Sequence, residues 1–267
     1  MINISIVLYK HPLSEIIPLL NSLRKSDNVS CIYLIDNSPN PTIEYNDLPV
    51  NYVFNGKNLG YGTAHNIGIR HTIEQNIPYH LVINPDITFN SDIFATIEEF
   101  MNTNAAIAQL MPKVFYPNGE VQNLCKLIPT PFDLIFRRFF PKSWTKERTA
   151  RFELRASGYD KLLDVPYLSG CFMLFRTEAL KEVGLFDERF FMYPEDIDLT
   201  RRIHAKYRTV FYPEVSIIHH HAQSSYLNLK MLFIHITNMV KYFNKWGWIL
   251  DKERKIINKK ILEQLKM

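Results

Sequence analysis

Apolar and polar positions along this chain follow two alternating periods. Ile4–Tyr9 is a short β-branched, apolar run that reads as a buried strand. Pro12–Lys25 then carries Leu13, Ile16, Ile17, Leu20 and Leu23 at helical spacing. Cys31–Ile35 reads as a second strand, closed by Asp36-Asn-Ser-Pro39, and Asn51–Phe54 as a third. Tyr61–Glu74 has a helical pattern, and His80–Ile83 is a strand ending in Asn84-Pro-Asp86. Ser91 is expected to cap a helix running through Met101, before a strand at Ala106–Met111. The stretch from Tyr116 to Val165 is rich in Pro and basic residues and is expected to be an irregular insertion or lid. Further on, the pattern predicts a strand over Tyr167–Arg176 and helices over Thr177–Val183 and Asp196–Lys206. A strand over Thr209–Ile218 follows, then closing helices over Leu227–Lys245 and Asp251–Lys266.

Strand–helix–strand alternation at this spacing indicates an α/β fold with a doubly wound, mostly parallel, Rossmann-like sheet. Such sheets bind ligands beyond the carboxyl ends of their strands. Asp36 and Asp86 both stand at expected strand ends, which marks both as candidate site residues. The organisation expected is one domain over residues 1–221, interrupted by the insertion at about 116–165, and a C-terminal helical extension over 222–267.

Composition changes this picture little. Of the 267 residues, 46% are hydrophobic and 22% charged, so the chain has the make-up of a folded domain and not of a disordered one. Cys31, Cys125 and Cys171 lie far apart and form no C-x-x-C pair, which argues against a thiolate zinc site or a disulfide framework. The N-terminus lacks a basic leader, and no apolar run approaches the roughly 18–20 residues of a membrane span. A cytoplasmic protein is expected, with peripheral contact at the inner face of the cell membrane as a further possibility.

Charge adds more. The net value of +4 conceals two basic stretches. Arg137–Arg155 holds 7 Lys/Arg against 2 Asp/Glu, and Lys241–Met267 holds 8 against 3. They point either to an anionic partner, such as a lipid headgroup, a phosphate or nucleic acid, or to solvated helix faces. In the last helix, Ile257, Ile261, Leu262 and Leu265 form an apolar stripe flanked by Lys255, Lys259, Lys260 and Lys266. Such a helix suits either an anionic membrane surface or packing within the protein.

Four segments carry candidate chemistry. Asn58-Leu-Gly60-Tyr-Gly62-Thr-Ala-His-Asn66-Ile-Gly68 is a glycine-punctuated entry to a helix, where free N–H groups favour an anion. Asn84-Pro-Asp86 offers oxygen ligands of the kind Mg²⁺ or Mn²⁺ shares with substrate phosphates, although the same tripeptide also serves as an ordinary strand-ending turn. Pro194-Glu195-Asp196-Ile-Asp198 packs three carboxylates at a helix start. Crowded acids raise one another's pKa, which suits a general base, while acids at a helix start also serve simply as caps. His219-His220-His221 follows an apolar strand, so an imidazole there can complete the coordination of a metal held by Asp86, and Ser224 and Ser225 follow within reach of phosphate.

Taken in order, these motifs resemble the family 2 glycosyltransferases of GT-A fold, and in particular the bacterial rhamnosyltransferase-like branch that builds surface polysaccharides. The resemblance runs from Ile4 to about His221, with a weaker echo to Trp246. It implies a nucleobase pocket lined by Tyr9 and Asp36, with Asn58, Gly60 and Asn66 beside the nucleotide. Asn84-Pro-Asp86 resembles the family's Asp-x-Asp motif, with Asp86 and His219 as the metal ligands and Mg²⁺ or Mn²⁺ as the cofactor. Ser169-Gly170 resembles the loop next to donor sugar and acceptor. The run from Gly184 to Asp196 resembles the catalytic segment, with Asp196 as base and Glu195 orienting the acceptor. Asn84 stands where the motif's first Asp is usual, and His65 where many relatives carry Arg.

The resemblance therefore implies an inverting hexosyl transfer, with rhamnose the first expectation, from a dTDP- or UDP-linked sugar to a glycan or polyprenyl-linked acceptor hydroxyl. The rival within the fold class is a nucleotidyltransferase, which would show glycine after the first strand where Lys10-His-Pro12 stands. A degenerate sugar- or nucleotide-binding scaffold is the non-catalytic alternative. A nucleic-acid-binding module finds no recognition motif here.

Overall fold

The computed structural model describes residues 1–89, 92–220 and 229–266. The first half contains β1 (Ile2–Leu8), α1 (Leu13–Leu23), β2 (Val29–Asp36), β3 (Asn51–Phe54), α2 (Tyr61–Glu74) and β4 (Tyr79–Ile83). β5 (Ile87–Thr88), α3 (Phe94–Thr103), β6 (Ile107–Phe115) and β7 (Cys125–Lys126) follow. Next come α4 (Pro131–Leu134), α5 (Lys142–Phe152), β8 (Leu163–Asp164), β9 (Tyr167–Leu168) and β10 (Phe172–Arg176). The chain closes with α6 (Thr177–Val183), α7 (Glu195–His204), β11 (Arg208–His219), α8 (Leu229–Trp246) and α9 (Lys252–Gln264).

The main sheet runs β3-β2-β1-β4-β10-β6-β11-β5, and β8 pairs with β11. β1 to β4 are mutually parallel, β10 is antiparallel to both its neighbours, and β11 is parallel to β6. β1 lies between β2 and β4, so the winding reverses direction at that strand, and a crevice forms where the connections diverge. Both faces of β1 are covered. Ile2, Ile4, Ile6 and Leu8 pack with Ile16, Leu19, Leu20 and Leu23 of α1. Asn3 and Ser5 point the other way and are equally buried, under α2.

Ser5 Oγ lies 2.7 Å from His65 Nδ1 and 2.8 Å from His80 Nε2, and His80 Nδ1 lies 2.7 Å from Thr72 Oγ1. These bonds pair most of the buried polar atoms here, while His65 Nε2 has no hydrogen-bond partner among the described residues. His65 is therefore part of the packing between α2 and β1.

Several expectations need correction. The 116–165 stretch is not irregular: it holds β7, α4, α5 and β8. It also supplies Leu127, Phe152 and Leu154 to a second apolar cluster with Met239, Tyr242 and Phe243 of α8 and Ile261 and Leu262 of α9. The 229–264 helices are thus built into the same core as the insertion. The strand expected over Tyr167–Arg176 is broken at Ser169-Gly-Cys171, because β9 pairs with β7 in a separate ribbon while β10 enters the main sheet between β4 and β6. The expected cap Ser91 lies outside the described residues; α3 starts at Phe94, whose N–H donates to Asp92 Oδ1 at 2.9 Å. The apolar stripe of α9 faces inward, with Ile261 and Leu262 buried and Ile257 and Leu265 packed against the same cluster. Among the described residues no helix is long and apolar enough to cross a membrane.

α7 is clamped from the C-terminal side. Arg201, 1% exposed, makes two hydrogen bonds to Asp251, at 2.7 and 2.8 Å, and lies 4.0 Å over the Trp246 ring. Asp198 is fully buried and meets Arg202, Lys245 and the Trp246 indole N–H. Of the three crowded acids, Asp198 is therefore a packing residue.

Candidate active site

A cavity of about 780 Å³ opens beyond the carboxyl ends of β1, β2 and β4. Tyr9, Asn37, Asn58, Gly60, Tyr61, Asn84 and Asp86 stand in its wall, with His11 and His220. Six of the residues singled out in the sequence thus meet one space or its edge, drawn from four separate loops. Tyr9 is 46% exposed and offers a ring face to a ligand.

Asp36, Asn66, Ser169, Gly170, Glu195, Asp196 and His219 are not in its lining, and the first two are tied up within the protein. Asp36 is fully buried, and its carboxylate accepts from the Ser38 N–H and the Tyr52 hydroxyl, each at 2.8 Å. It shapes the turn after β2, and its neighbour Asn37 takes the place in the wall. Asn66 is buried too: its side chain donates to the Phe186 carbonyl at 2.9 Å and accepts from the Phe186 N–H at 3.0 Å. It ties α2 to the loop that leads into α7. The sequence pattern put Asp36 at a strand end and Asn66 within a helix, but carried no record of the direction of their side chains.

Gly60 begins α2 at φ +88°, a conformation open to glycine, and a Cβ there would collide with the Phe191 carbonyl. The Asn58 side chain accepts the Gly60 N–H at 3.0 Å, and Tyr61 N–H donates to Phe191 O at 3.0 Å. That N–H of the helix start is thus spent inside the protein. The Tyr61 hydroxyl donates to the Gly170 carbonyl at 2.7 Å and lies 3.0 Å from Asn84 Oδ1. Tyr61 therefore joins the Asn84 turn to the Ser169-Gly170 turn, with its ring in the cavity wall.

Gly170 N–H in turn donates to Asp196 Oδ2 at 2.9 Å, and Ile197 N–H donates to Oδ1 at 2.7 Å. Burial raises the Asp196 carboxyl to about 6, with Lys126 opposing the rise. Glu195 is 4% exposed, and its Oε2 has no hydrogen-bond partner among the described residues. Burial, then the neighbouring Asp196, pushes Glu195 up to about 8. Two buried carboxyls side by side oppose a second negative charge, so the pair favours holding one proton between them.

On the other side of Tyr61, β11 pairs with β5 so that His219 stands opposite Ile87, next to Asp86. His219 Nε2 lies 3.3 Å from Asp86 Oδ1. Gln122 fixes the ring: its Nε2 donates to the His219 carbonyl at 2.9 Å, which leaves Oε1 to accept from Nδ1–H at 3.0 Å. Nε2 and a carboxylate oxygen then face each other, an arrangement suited to a shared proton or a shared cation, and Asn84 Nδ2 lies 3.4 Å from the same Nε2. Burial works to lower the His219 pKa, but the hydrogen bond to Asp86 and the neighbouring Cys171 raise it to about 10. Two ligands held on one small divalent ion at about 2.1 Å each stand about 3.0–3.4 Å apart, so the pair fits that use as well. His220 bonds Thr88 instead, at 3.0 Å, and His221 lies outside the described residues, as do Ser224 and Ser225. Among the described residues no group of three or more His, Cys, Asp or Glu is placed to hold a metal, so an ion here would draw its other ligands from substrate or water.

Residues 42–238 match the model of the glycosyltransferase like family 2. The chain belongs to that family. A curated relative, the N-acetylglucosaminyl-diphospho-decaprenol L-rhamnosyltransferase of Mycobacterium tuberculosis, is 30% identical over 184 residues, covering 64% of this chain and 58% of the relative. The low-salt glycan biosynthesis hexosyltransferase Agl10 of Haloferax volcanii is 27% identical over 208 residues, covering 75% of this chain and 61% of its own length. The chain thus spans about three-fifths of these curated relatives. Among solved structures, GalNAc-T7 with UDP, GalNAc and Mn²⁺ superposes with a TM-score of 0.61 over 99% of this chain and 55% of its own, at 14% identity. That likeness establishes the GT-A fold.

Within this family 2 chain, three contributors to the site carry no sequence signal of their own. Gln122 lies in the insertion, far in sequence from the His219 it orients. Tyr61 reads as an ordinary first helical residue. Lys126, whose ammonium lies 5.0 Å over the Tyr167 ring, looks like one more surface lysine, yet it is part-buried and acts on Asp196.

Proposed function

We propose that the chain transfers a hexosyl group, with rhamnosyl the first candidate, from a nucleoside-diphosphate sugar to an acceptor hydroxyl in one inverting displacement. The observation that carries this reading is the Asn84–Tyr61–Gly170–Asp196 chain, which links the cavity wall to a carboxylate of raised pKa. In the displacement Asp196 takes the proton of the acceptor O–H as that oxygen bonds to the anomeric carbon. The anomeric carbon–oxygen bond breaks, and the nucleoside diphosphate leaves with the electron pair. Gly170 N–H and Ile197 N–H aim the Asp196 carboxylate, and neutral Glu195 orients the acceptor by donating a hydrogen bond.

Asp86 and His219 would hold Mg²⁺ or Mn²⁺, which when bound neutralises charge on a diphosphate leaving group. Tyr9 and Asn37 would flank the nucleobase, and Asn58 and Gly60 the nucleotide beyond it. The relatives' names support the sugar and acceptor classes: one is an L-rhamnosyltransferase acting on a decaprenol-diphosphate-linked sugar, the other a hexosyltransferase. On that basis the donor is dTDP- or UDP-linked and the acceptor a glycan on a polyprenyl diphosphate, at the cytoplasmic side of a membrane.

The test is a donor panel. The protein is titrated calorimetrically with dTDP- and UDP-sugars, with Mg²⁺, Mn²⁺ or chelator, and nucleotide release is followed. Metal-dependent binding of one donor is expected. Failure of the folded protein to bind any donor would favour a sugar-binding scaffold that has lost turnover.

A further inference from the structure

The two basic stretches meet at a second groove, which shares no lining residue with the active-site cavity. A groove of about 700 Å³ runs between the insertion and the α8–α9 corner. Phe132 and Phe136 stand on one side, Trp248 and Ile249 on the other, and none of these lines the active-site cavity. Around the groove, Phe136 is 49% exposed, Ile249 77% and the adjoining Leu250 86%, and Phe140 stacks near Phe132 with ring centroids 5.5 Å apart. Large apolar side chains grouped in this way at the surface mark an interaction site.

The rim gives the partner's charge. Arg151, Lys255 and Lys259 line the groove as exposed cations. Among the described residues the one acid in the lining, Glu263, is 3.6 Å from Lys259. Arg254, also in the lining, is buried and turned inward onto the Pro129 and Trp248 carbonyls. Aromatic and aliphatic tips with lysines and arginines beside them, Trp248, Ile249 and Leu250 in the turn between α8 and α9, match the chemistry of a bilayer interface with anionic headgroups. A protein partner of matching shape would need acidic residues around an apolar plug; a bilayer supplies both features along the full length of the surface.

We propose that this groove and its rim dock the chain on an anionic phospholipid leaflet, with Ile249, Leu250 and Trp248 entering the interface and Lys255, Lys259 and Arg151 meeting the headgroups. The expected membrane element is thus the α8–α9 corner with the insertion's phenylalanines, and not the apolar stripe of α9, which is core. The proposal does not depend on which sugar is transferred, or on whether transfer occurs.

The test is co-sedimentation of the full chain with phosphatidylcholine vesicles, with and without phosphatidylglycerol, in the absence of any donor. Binding to the anionic vesicles alone is expected. Lys255→Gln with Lys259→Gln should weaken it about thirtyfold, on the scale of about 1 kcal/mol per cation near an anionic surface. Ile249→Glu with Leu250→Glu should abolish it, and because both side chains are exposed the fold, checked by circular dichroism and melting, should hold. Equal binding to neutral and anionic vesicles, or no binding by the folded protein, overturns the proposal. So does a dimer, seen by light scattering, that the Ile249→Glu, Leu250→Glu variant splits, since the face would then belong to a second copy of the chain.

Discussion

The backbone N–H of Gly170 donates to Asp196 Oδ2 across 2.9 Å, joining a turn between two strands to the first turn of a helix that follows 26 residues later. A carboxylate in a half-buried setting needs such donors to remain ionised near neutrality. Ile197 N–H holds the other oxygen, which leaves the remaining lone pairs to take a proton from outside. From this contact follows the first test. Asp196→Asn keeps the shape and loses the base. Turnover should fall by about 10²–10⁴, the range of general base catalysis, while calorimetry shows donor affinity within about twofold of the wild type. Transfer at wild-type rate by that variant would remove Asp196 from the role.

The pH dependence has a definite sign. Asp196 must be ionised to accept a proton, and its value of about 6 lies above the usual 3.8. kcat/KM should therefore fall on the acid side with a midpoint near the same pH of about 6. Lys126→Met removes a cation that holds this value down, so the acid limb should move to higher pH in that variant. A limb that stays in place would mean that Lys126 does not act on the base.

Gln122 is predicted to govern metal binding although it touches no ion. Its Oε1 receives Nδ1–H of His219 and so leaves Nε2 turned to Asp86. Gln122→Leu should lower Mn²⁺ affinity, measured by calorimetry or by paramagnetic relaxation of bound water, about 10- to 100-fold, as loss of such a supporting partner generally does. Unchanged Mn²⁺ affinity would show that the ring needs no such support.

Acid should also loosen the fold through the Ser5–His65–His80–Thr72 network. Burial lowers His65 well below 6.5, with His80 adding to the effect, and burial lowers His80 to about 3. Both histidines bind fewer protons folded than unfolded below about 6.5, so their contribution is complete above that pH and is lost as pH falls through it. For His80 the loss continues to about pH 3. Each contributes a slope of about 1.4 kcal/mol per pH unit in that window. Urea titrations of the wild type and of His80→Asn should differ in that slope; parallel lines would show that His80 does not titrate on unfolding.

The Arg201–Asp251 pair should bear on stability more than its distance from the active site suggests. Arg201 belongs to α7, whose first turn carries Glu195 and Asp196, and both partners are buried. Asp251→Ala strands a buried guanidinium that, among the described residues, keeps only Glu253 as an acidic partner. A cost of about 3 kcal/mol is expected, seen as a melting temperature lower by about 10 °C. A change of less than about 2 °C would show the pair to be dispensable.

The sequence by itself determined the layout of the fold, because period and strand-end chemistry are local. Apolar runs such as Ile4–Tyr9 and the Leu13–Leu23 spacing specify strand and helix wherever they sit, and the polar turns after them mark the carboxyl ends where a ligand binds. Asn58, Asn84 and Asp86, which stand in the cavity wall, were marked as candidates for the same reason. What only the tertiary structure decided depended on long-range pairing. The β5–β11 register set His219, and not His220, beside Asp86. The separate pairing of β9 with β7 broke an apparently continuous strand and created the Ser169-Gly170 turn that reaches Asp196. Packing against the insertion turned the α9 stripe inward, and the buried Tyr52 contact turned Asp36 away from the cavity. A side chain's direction and a strand's register are set by partners distant along the chain, so periodicity carries no record of them.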